Sequence, residues 1–564
     1  FVRMHGAGGE PDAYTYGELW RAAAAFAEAA EGVEPGTLAL LVMPLGKSLL
    51  AAHLGMQMQG LVPSIYTHPS EKIQQDAYLR NLRHALGLLR PGIIIAARQF
   101  AQTVRESLPE AARARLVLAE EVAEASGFEA RAWRSASPDS VAIVQHSSGS
   151  TGLQKGVALT HAMVAAQCAT YARFIGLDAE RDRVCAWLPL YHDMGLFTSW
   201  LMPVLHGVPV SLLDPFEWVK QPASLLELIE RERGTLCWQP NFAFSLLAKR
   251  RPAGRAPDLR SMRGFTNCSE PVTGAAMRAF LEAYRDSGVA PERLWACYAM
   301  AENAFAVTAA GGAGEGALAD RVSCGKPLES VELRIVDAAR RDLPEGSTGE
   351  IALRSPFALR EYFRNPEATA EAIDAERWYY TGDLGFLDRG ELYVTGRKKD
   401  LIIIAGRNFY PQDLERVADE CAGAIEGRSV AFGVDDAALG TQKAVMLVES
   451  KLASEAERDA LAASVREAAF SRLDCPVASV QVVPHMSLLK TSSGKISRQA
   501  NRERYLAGLS AAQPAARLPA TGTRRRAGLA EMLLWSFAAA AALYLAVLIV
   551  VLGTNESWNI YAGF

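Results

Sequence analysis

Paired cysteines are missing from this chain. Its eight cysteines, at positions 168, 185, 237, 268, 297, 324, 421 and 475, are scattered, and no C-x-x-C pair occurs. That spacing excludes a disulfide framework and a thiolate zinc site, and it points to a reducing compartment. Net charge is nearly missing as well, at −4. No basic field favours nucleic acid, so no nucleic-acid partner is expected. Internal repeats and a Walker-type G-x-x-x-x-G-K-[ST] loop are absent, and no G-x-S-x-G elbow surrounds Ser148 or Ser150. No signal peptide is visible, and the first residue is Phe1 rather than an initiator Met. The chain is therefore expected to continue upstream.

What is present begins with apolar residues, which make up 50% of 564 positions. Cores of that size imply two to four domains. Helical patterns at Tyr16–Ala30 and Lys47–Gln59 alternate with short apolar runs at 38–42 and 93–96. Such alternation predicts an α/β fold with an at least partly parallel sheet, and the same texture continues through 184–190 and 207–213. From 333 to 396 the pattern turns to strands and turns, which predicts a β-rich subdomain. Gly396-Arg397-Lys398-Lys399-Asp400 is a charged junction, followed by about 110 residues of mixed helix and strand, α+β in character. Ser510–Gly528 reads as an Ala/Pro/Gly-rich tether. The expected division is 1–396, 397–509, a linker at 510–528, an anchor at 529–553 and a short tail at 554–564.

Several polar clusters carry chemistry. Ser147-Ser148-Gly149-Ser150-Thr151-Gly152 and the nearby Lys155 and Gly156 follow the apolar run 141–144 and precede a helix expected to start near Thr160. Glycines let backbone approach a ligand, while four hydroxyls and a Lys supply hydrogen bonds and charge, as a polyphosphate requires. A flexible surface linker is the plain alternative. Tyr191-His192-Asp193 puts an aromatic ring and an imidazole at a strand end, where ligands bind in open α/β sheets. Tyr298 to Glu302 offers a flat ring for a purine and a carboxylate for Mg²⁺, which takes oxygen ligands. Thr381-Gly382-Asp383 with Arg397 suits a cis-diol, as in ribose. Lys495, late in a Gly/Ser loop, suits an oxygen that gains charge in a transition state. In this order the clusters fit ATP-dependent activation of a carboxylate, in which no side-chain nucleophile is needed.

These motifs, at these separations, resemble the adenylate-forming superfamily across roughly residues 14 to 508. Pro189-Leu190-Tyr191-His192-Asp193-Met194-Gly195-Leu196, Asn267-Cys268-Ser269-Glu270-Pro271-Val272 and Gly406-Arg407-Asn408-Phe409-Tyr410-Pro411-Gln412-Asp413-Leu414-Glu415 look most like fatty acyl-AMP ligases. The resemblance implies a large N-terminal domain of two α/β subdomains and a β-rich one, and a small mobile C-terminal domain. It implies ATP and Mg²⁺, a carboxylic acid substrate, and an acyl carrier protein in trans or CoA as acceptor. Lys495, Glu302 and His192 would be catalytic, with Glu302 also on Mg²⁺. Ser147, Ser148, Gly149, Ser150, Thr151, Gly152, Lys155, Ser269, Glu270, Tyr298, Asp383 and Arg397 would hold the nucleotide, and Lys399 would be the hinge. Two departures touch the acceptor. No insertion separates Asn365-Pro366-Glu367 from Thr381, as in acyl-CoA ligases, and Cys268-Ser269 replaces the usual Gly-Ala. Trp238, Asn241 and Phe242 are candidates for the acyl pocket. A non-catalytic membrane scaffold is the rival reading, and retention of Lys495, Glu302 and Asp383 speaks against it.

Met532–Leu552 is 21 residues without a charge. As a helix it would be about 31 Å long, matching a hydrocarbon core of about 30 Å. Arg524-Arg525-Arg526 precedes it, which by the positive-inside rule places the catalytic domains in the cytoplasm. A single C-terminal transmembrane helix is thus expected.

Overall fold

A computed structural model describes residues 1–512 except 6–10, 70–74, 110–113, 123–132, 135, 148–154, 313–317, 320, 405–406, 437–440 and 491–494. Contacts divide the chain into Phe1–Arg504 and Tyr505–Phe564. Of the second unit, the described residues lie in the helix Arg498–Ala512. Among the described residues no helix is long and apolar enough to cross a membrane, and the run 532–552 lies outside them.

The first unit is α/β. Its largest sheet has nine strands, in the order Lys326–Pro327, Ala306–Ala310, Leu294–Ala299, Gly264–Asn267, Leu236–Gln239, Val184–Ala186, Val210–Leu213, Val2–His5, Asp12–Tyr14. The six strands from Leu294–Ala299 to Val2–His5 run parallel, and antiparallel strands flank them. A second sheet, Val62–Ile65, Leu38–Val42, Ile93–Ala96 and Arg115–Leu118, is parallel throughout. Strands buried on both faces read as unbroken apolar runs. Leu38–Val42 and Ile93–Ala96 are such runs, and every residue in them is buried.

The helix expected to start near Thr160 is His161–Ile175, with the Thr160 side chain accepting from the Met163 amide as N-cap. Before it, Gly156–Thr160 forms a strand that the sequence reading did not single out and that pairs antiparallel with Val141–His146. The β-rich stretch is a four-stranded antiparallel sheet of Glu332–Val336, Gly349–Arg354, Tyr379–Asp388 and Glu391–Arg397. Beyond it, Ala424–Asp436, Thr441–Ser450 and Val477–Pro484 form a three-stranded sheet. It packs with the helices Pro411–Asp419 and Glu455–Leu473. The second of these opens on a capping box between Ser454 and Glu457.

Buried apolar residues between Ile402 and Val480 form a cluster of their own, apart from the main cluster between Val2 and Leu392. The chain passes between the two cores through Arg397, Lys398 and Lys399, whose side chains are exposed. No residue of either apolar cluster lies between 395 and 401, and Arg397 and Lys398 are held there by ion pairs to Asp383 and Glu350.

Candidate active site

The parallel strands of the large sheet end in a common region, and the polar clusters gather there. After Val184–Ala186 the chain runs through Pro189 to the short helix Asp193–Leu196. Gly195 is required at that turn, because a Cβ there would lie 2.3 Å from the Pro189 carbonyl oxygen. The imidazole Nε2 of His192 is buried and has no hydrogen-bond partner among the described residues. Burial, with the charge of Lys495 and the neighbouring His146, pulls His192 down to about 3, so it is neutral at physiological pH. His146 ends the strand before the Ser/Gly loop and is also buried, which lowers it to about 4. The Ser64 hydroxyl has one proton and donates it to the Val144 carbonyl at 2.8 Å. The 2.9 Å contact between Ser64 Oγ and His146 Nε2 therefore carries the imidazole proton on Nε2.

Strand Leu294–Ala299 supplies Tyr298. Its hydroxyl donates to Asp383 Oδ2 at 2.7 Å, and Arg397 Nε donates to Asp383 Oδ1 at 3.1 Å. Asp383 is set by its own turn. Its amide donates to Thr381 Oγ1 at 3.0 Å, and Gly382 takes a left-handed φ of +72° that suits glycine. Ring, carboxylate and guanidinium from two sheets thus meet at one point.

Glu302 lies on a 3-10 turn, Ala301–Asn303, just past the strand that bears Tyr298. Its Oε1 accepts from the Tyr362 hydroxyl at 3.0 Å, and Tyr362 in turn lies 3.3 Å from the Tyr379 hydroxyl. The Lys155 ammonium sits 4.6 Å from the centre of the Tyr362 ring, a cation–π contact. Burial raises the Glu302 acid above its ordinary value, against the pull of the Tyr362 hydrogen bond. The Ser147 amide donates to the Lys155 carbonyl at 3.0 Å, which ties together the two ends of the Ser/Gly segment. Ser148, Gly149, Ser150, Thr151 and Gly152 lie outside the described residues.

Lys495 comes from the other side. Its ammonium donates to the Ser269 carbonyl, and its charge is felt by both His192 and Asp193. Ser269 itself adopts a left-handed φ of +66°, a strained placement for a residue with a side chain. Glu270 points elsewhere: its Oε2 accepts from the Phe242 amide at 3.0 Å, at the start of the helix Asn241–Lys249. Trp238 is fully buried and its indole donates to the Tyr171 hydroxyl at 2.8 Å. Lys399 sits in the 3-10 turn Lys398–Asp400 with its side chain exposed.

The structure therefore brings Tyr298, Asp383 and Arg397 together, Glu302 and Lys155 onto one tyrosine, Tyr362, and Lys495 beside Ser269 and His192. Tyr362, Tyr379 and His146 escaped the sequence reading. His146 directly precedes the Ser/Gly motif and Tyr379 stands two residues before Thr381-Gly382-Asp383, which was a usable signal, whereas nothing local marks Tyr362.

Such a constellation, on this fold, is that of an enzyme that binds AMP. Residues 2–363 match the AMP-binding enzyme family, and the chain belongs to it. It is an adenylate-forming ligase, close to fatty acyl-AMP ligases and acyl-CoA synthetases. A Caulobacter vibrioides protein with the provisional name acyl-CoA synthetase is 31% identical, covering 85% of this chain and 87% of its own length. The medium-chain-fatty-acid–[acyl-carrier-protein] ligase of Moorena producens is 29% identical over 88% of this chain and 91% of its own. A solved structure from work on fatty acyl-adenylate ligases of E. coli and L. pneumophila superposes with a TM-score of 0.82 at 27% identity, over 90% of this chain and 96% of that one.

Proposed function

We propose that the protein joins a carboxylic acid, most simply a fatty acid, to AMP with release of pyrophosphate, and then passes the acyl group to the phosphopantetheine thiol of a carrier protein. One observation carries the reading: a nucleoside-shaped trio, Tyr298, Asp383 and Arg397, lies in the same cleft region as a lysine delivered from the small C-terminal part. In the first step a carboxylate oxygen bonds the α-phosphorus and the bond to pyrophosphate breaks. In the second, the thiol sulfur bonds the acyl carbon, AMP leaves and the thiol proton goes to solvent. Lys495 stabilises the charge that grows on phosphoryl oxygens, and Tyr298, Asp383 and Arg397 hold the nucleoside in line. Neutral His192 and the buried groups around it keep water from the acyl-AMP.

Glu302 suits Mg²⁺, because that ion is commonly held by one or two carboxylates plus substrate phosphates. Among the described residues no group of three or more His, Cys, Asp or Glu forms a cage by itself. Bound there, Mg²⁺ would neutralise phosphate charge.

CoA is the second candidate acceptor. The helix Pro366–Ala372 runs almost directly into the strand Tyr379–Asp388, with no insertion between. Location is part of the same reading: the run 532–552 anchors the catalytic part at the cytoplasmic face of a membrane.

The test supplies the protein with ATP, Mg²⁺ and a panel of fatty and aryl acids. Pyrophosphate should appear only when all three are present, and preformed acyl-AMP enzyme should acylate a holo-carrier protein. Rapid formation of acyl-CoA would reverse the choice of acceptor. No acid-dependent pyrophosphate across the panel would sink the reading.

A further inference from the structure

We propose that Asn501 is a positioning residue that sets the reach of Lys495 into the site, an inference that rests on the reading of Lys495 as the adenylation lysine. Asn501 has no exposed surface. A buried amide must find partners for all its donors and acceptors or lose stability. This one spends them on the two backbone positions that flank Lys495. Its Oδ1 accepts from the Leu489 amide at 3.0 Å, while Nδ2 donates to the Leu489 carbonyl at 3.0 Å and to the Ser497 carbonyl at 2.7 Å. Arg504 Nη2 adds a bond to Oδ1 at 3.3 Å, so the amide's four hydrogen-bonding positions are used.

The two positions also hold each other. The Ser497 amide donates to the Leu489 carbonyl at 2.9 Å, and Lys490 and Ile496 form an antiparallel bridge. The base beneath them is firm. Leu488 donates its amide to the buried Glu449 at 2.8 Å, and Arg498 bonds Asp400, Glu415 and the Ala431 carbonyl at 2.8, 2.6 and 2.8 Å. Lysine is a point charge on a flexible stem, so where its ammonium can reach depends on where its Cα is held. Lys495 reaches the Ser269 carbonyl from the narrow neck that Asn501 closes.

Asn501→Asp keeps the shape, removes both donors and sets a carboxylate oxygen against two carbonyls. Acyl-AMP formation should fall about 10²-fold, the cost of a misplacement on the order of 1 Å. KM for ATP should stay the same, and so should transfer of the acyl group from supplied acyl-AMP to the thiol. Amide hydrogen exchange should quicken in peptides containing Leu489 and Ser497 and nowhere else. Asn501→Asp combined with Lys495→Ala should be no slower than Lys495→Ala alone, because both changes act through one ammonium. Equal loss in both half-reactions, additive losses in the double variant, or a loosened neck with a full adenylation rate would each overturn the proposal. A Lys495→Ala protein that adenylates at the normal rate would show that the reading of Lys495 had failed first, and the role of Asn501 with it. If Asn501→Asp does not fold, Asn501→Gln keeps both donors on a longer stem. It should show the same pattern with a smaller loss, and a normal rate would count against positioning.

Discussion

Tyr362 joins three parts of the site: its hydroxyl donates to Glu302, lies near Tyr379, and its ring faces the Lys155 ammonium. The hydrogen bond favours ionised Glu302, whereas burial opposes it, and burial is the larger effect. Tyr362→Phe removes the bond and keeps the ring. The Glu302 acid should then rise further, so the acid limb of the pH profile for pyrophosphate release should move to higher pH while the rate on the alkaline side holds. An unmoved limb, or one displaced to lower pH, would show that Glu302 does not titrate in the reaction. At this scale the sequence was legible where chemistry is local. Asp383 follows a glycine with a left-handed φ, and Tyr298 stands four residues before Glu302, so each advertised itself. Tyr362 did not, since its partner is 60 residues away along the chain.

The elements that carry these side chains explain how two reactions could share one cleft. Lys399 lies in the turn Lys398–Asp400, between the strand ending at Arg397 and the one starting at Ile402, where the two apolar cores part. Asp400 pairs with Arg498, three residues past Lys495, so the turn and the lysine are tied to the same helix start. Rotation at Lys399 would therefore carry Lys495 with it. Lys399→Pro fixes φ and removes an amide donor. Thioester formation should drop at least about tenfold more than pyrophosphate exchange, a difference of about 1.4 kcal/mol in barrier height. Equal losses would show that the turn is not a catalytic hinge. Most elements were legible because their periodicity and caps are local: Thr15 and Glu18, like Ser454 and Glu457, form capping boxes at the starts of helices. The strand Gly156–Thr160 was hidden, because its pairing with Val141–His146 stands where a helix start could equally be read.

For the molecule as a whole, the proposed anchor should govern location and supply of substrate while leaving the chemistry alone. Of the expected tether 510–528, the first three residues end the helix Arg498–Ala512, which leaves 513–528, 16 residues; a flexible coil of that length would span about 22 Å. Arg524 to Arg526 could then meet anionic headgroups at about 1 kcal/mol each. A protein ending at Ala516 should be soluble and keep its pyrophosphate release on dispersed acid. If it remains folded but loses that release, the apolar run belongs to the catalytic architecture. The sequence by itself determined the α/β class, most helix and strand types and the order of the polar motifs, because side-chain periodicity, capping and turn chemistry act within a few residues. Only the tertiary structure decided that Asp383 receives bonds from both Tyr298 and Arg397, that Glu302 meets Tyr362, and that Asn501 closes the neck below Lys495. Apart from that neck, whose partners are near in sequence but meet only once the chain has turned back, and from Asp383 and Arg397, which face each other on adjacent strands of one sheet, these contacts join residues on different sheets or distant loops. Strand order and long-range packing bring such groups within hydrogen-bonding distance, and no local pattern encodes that.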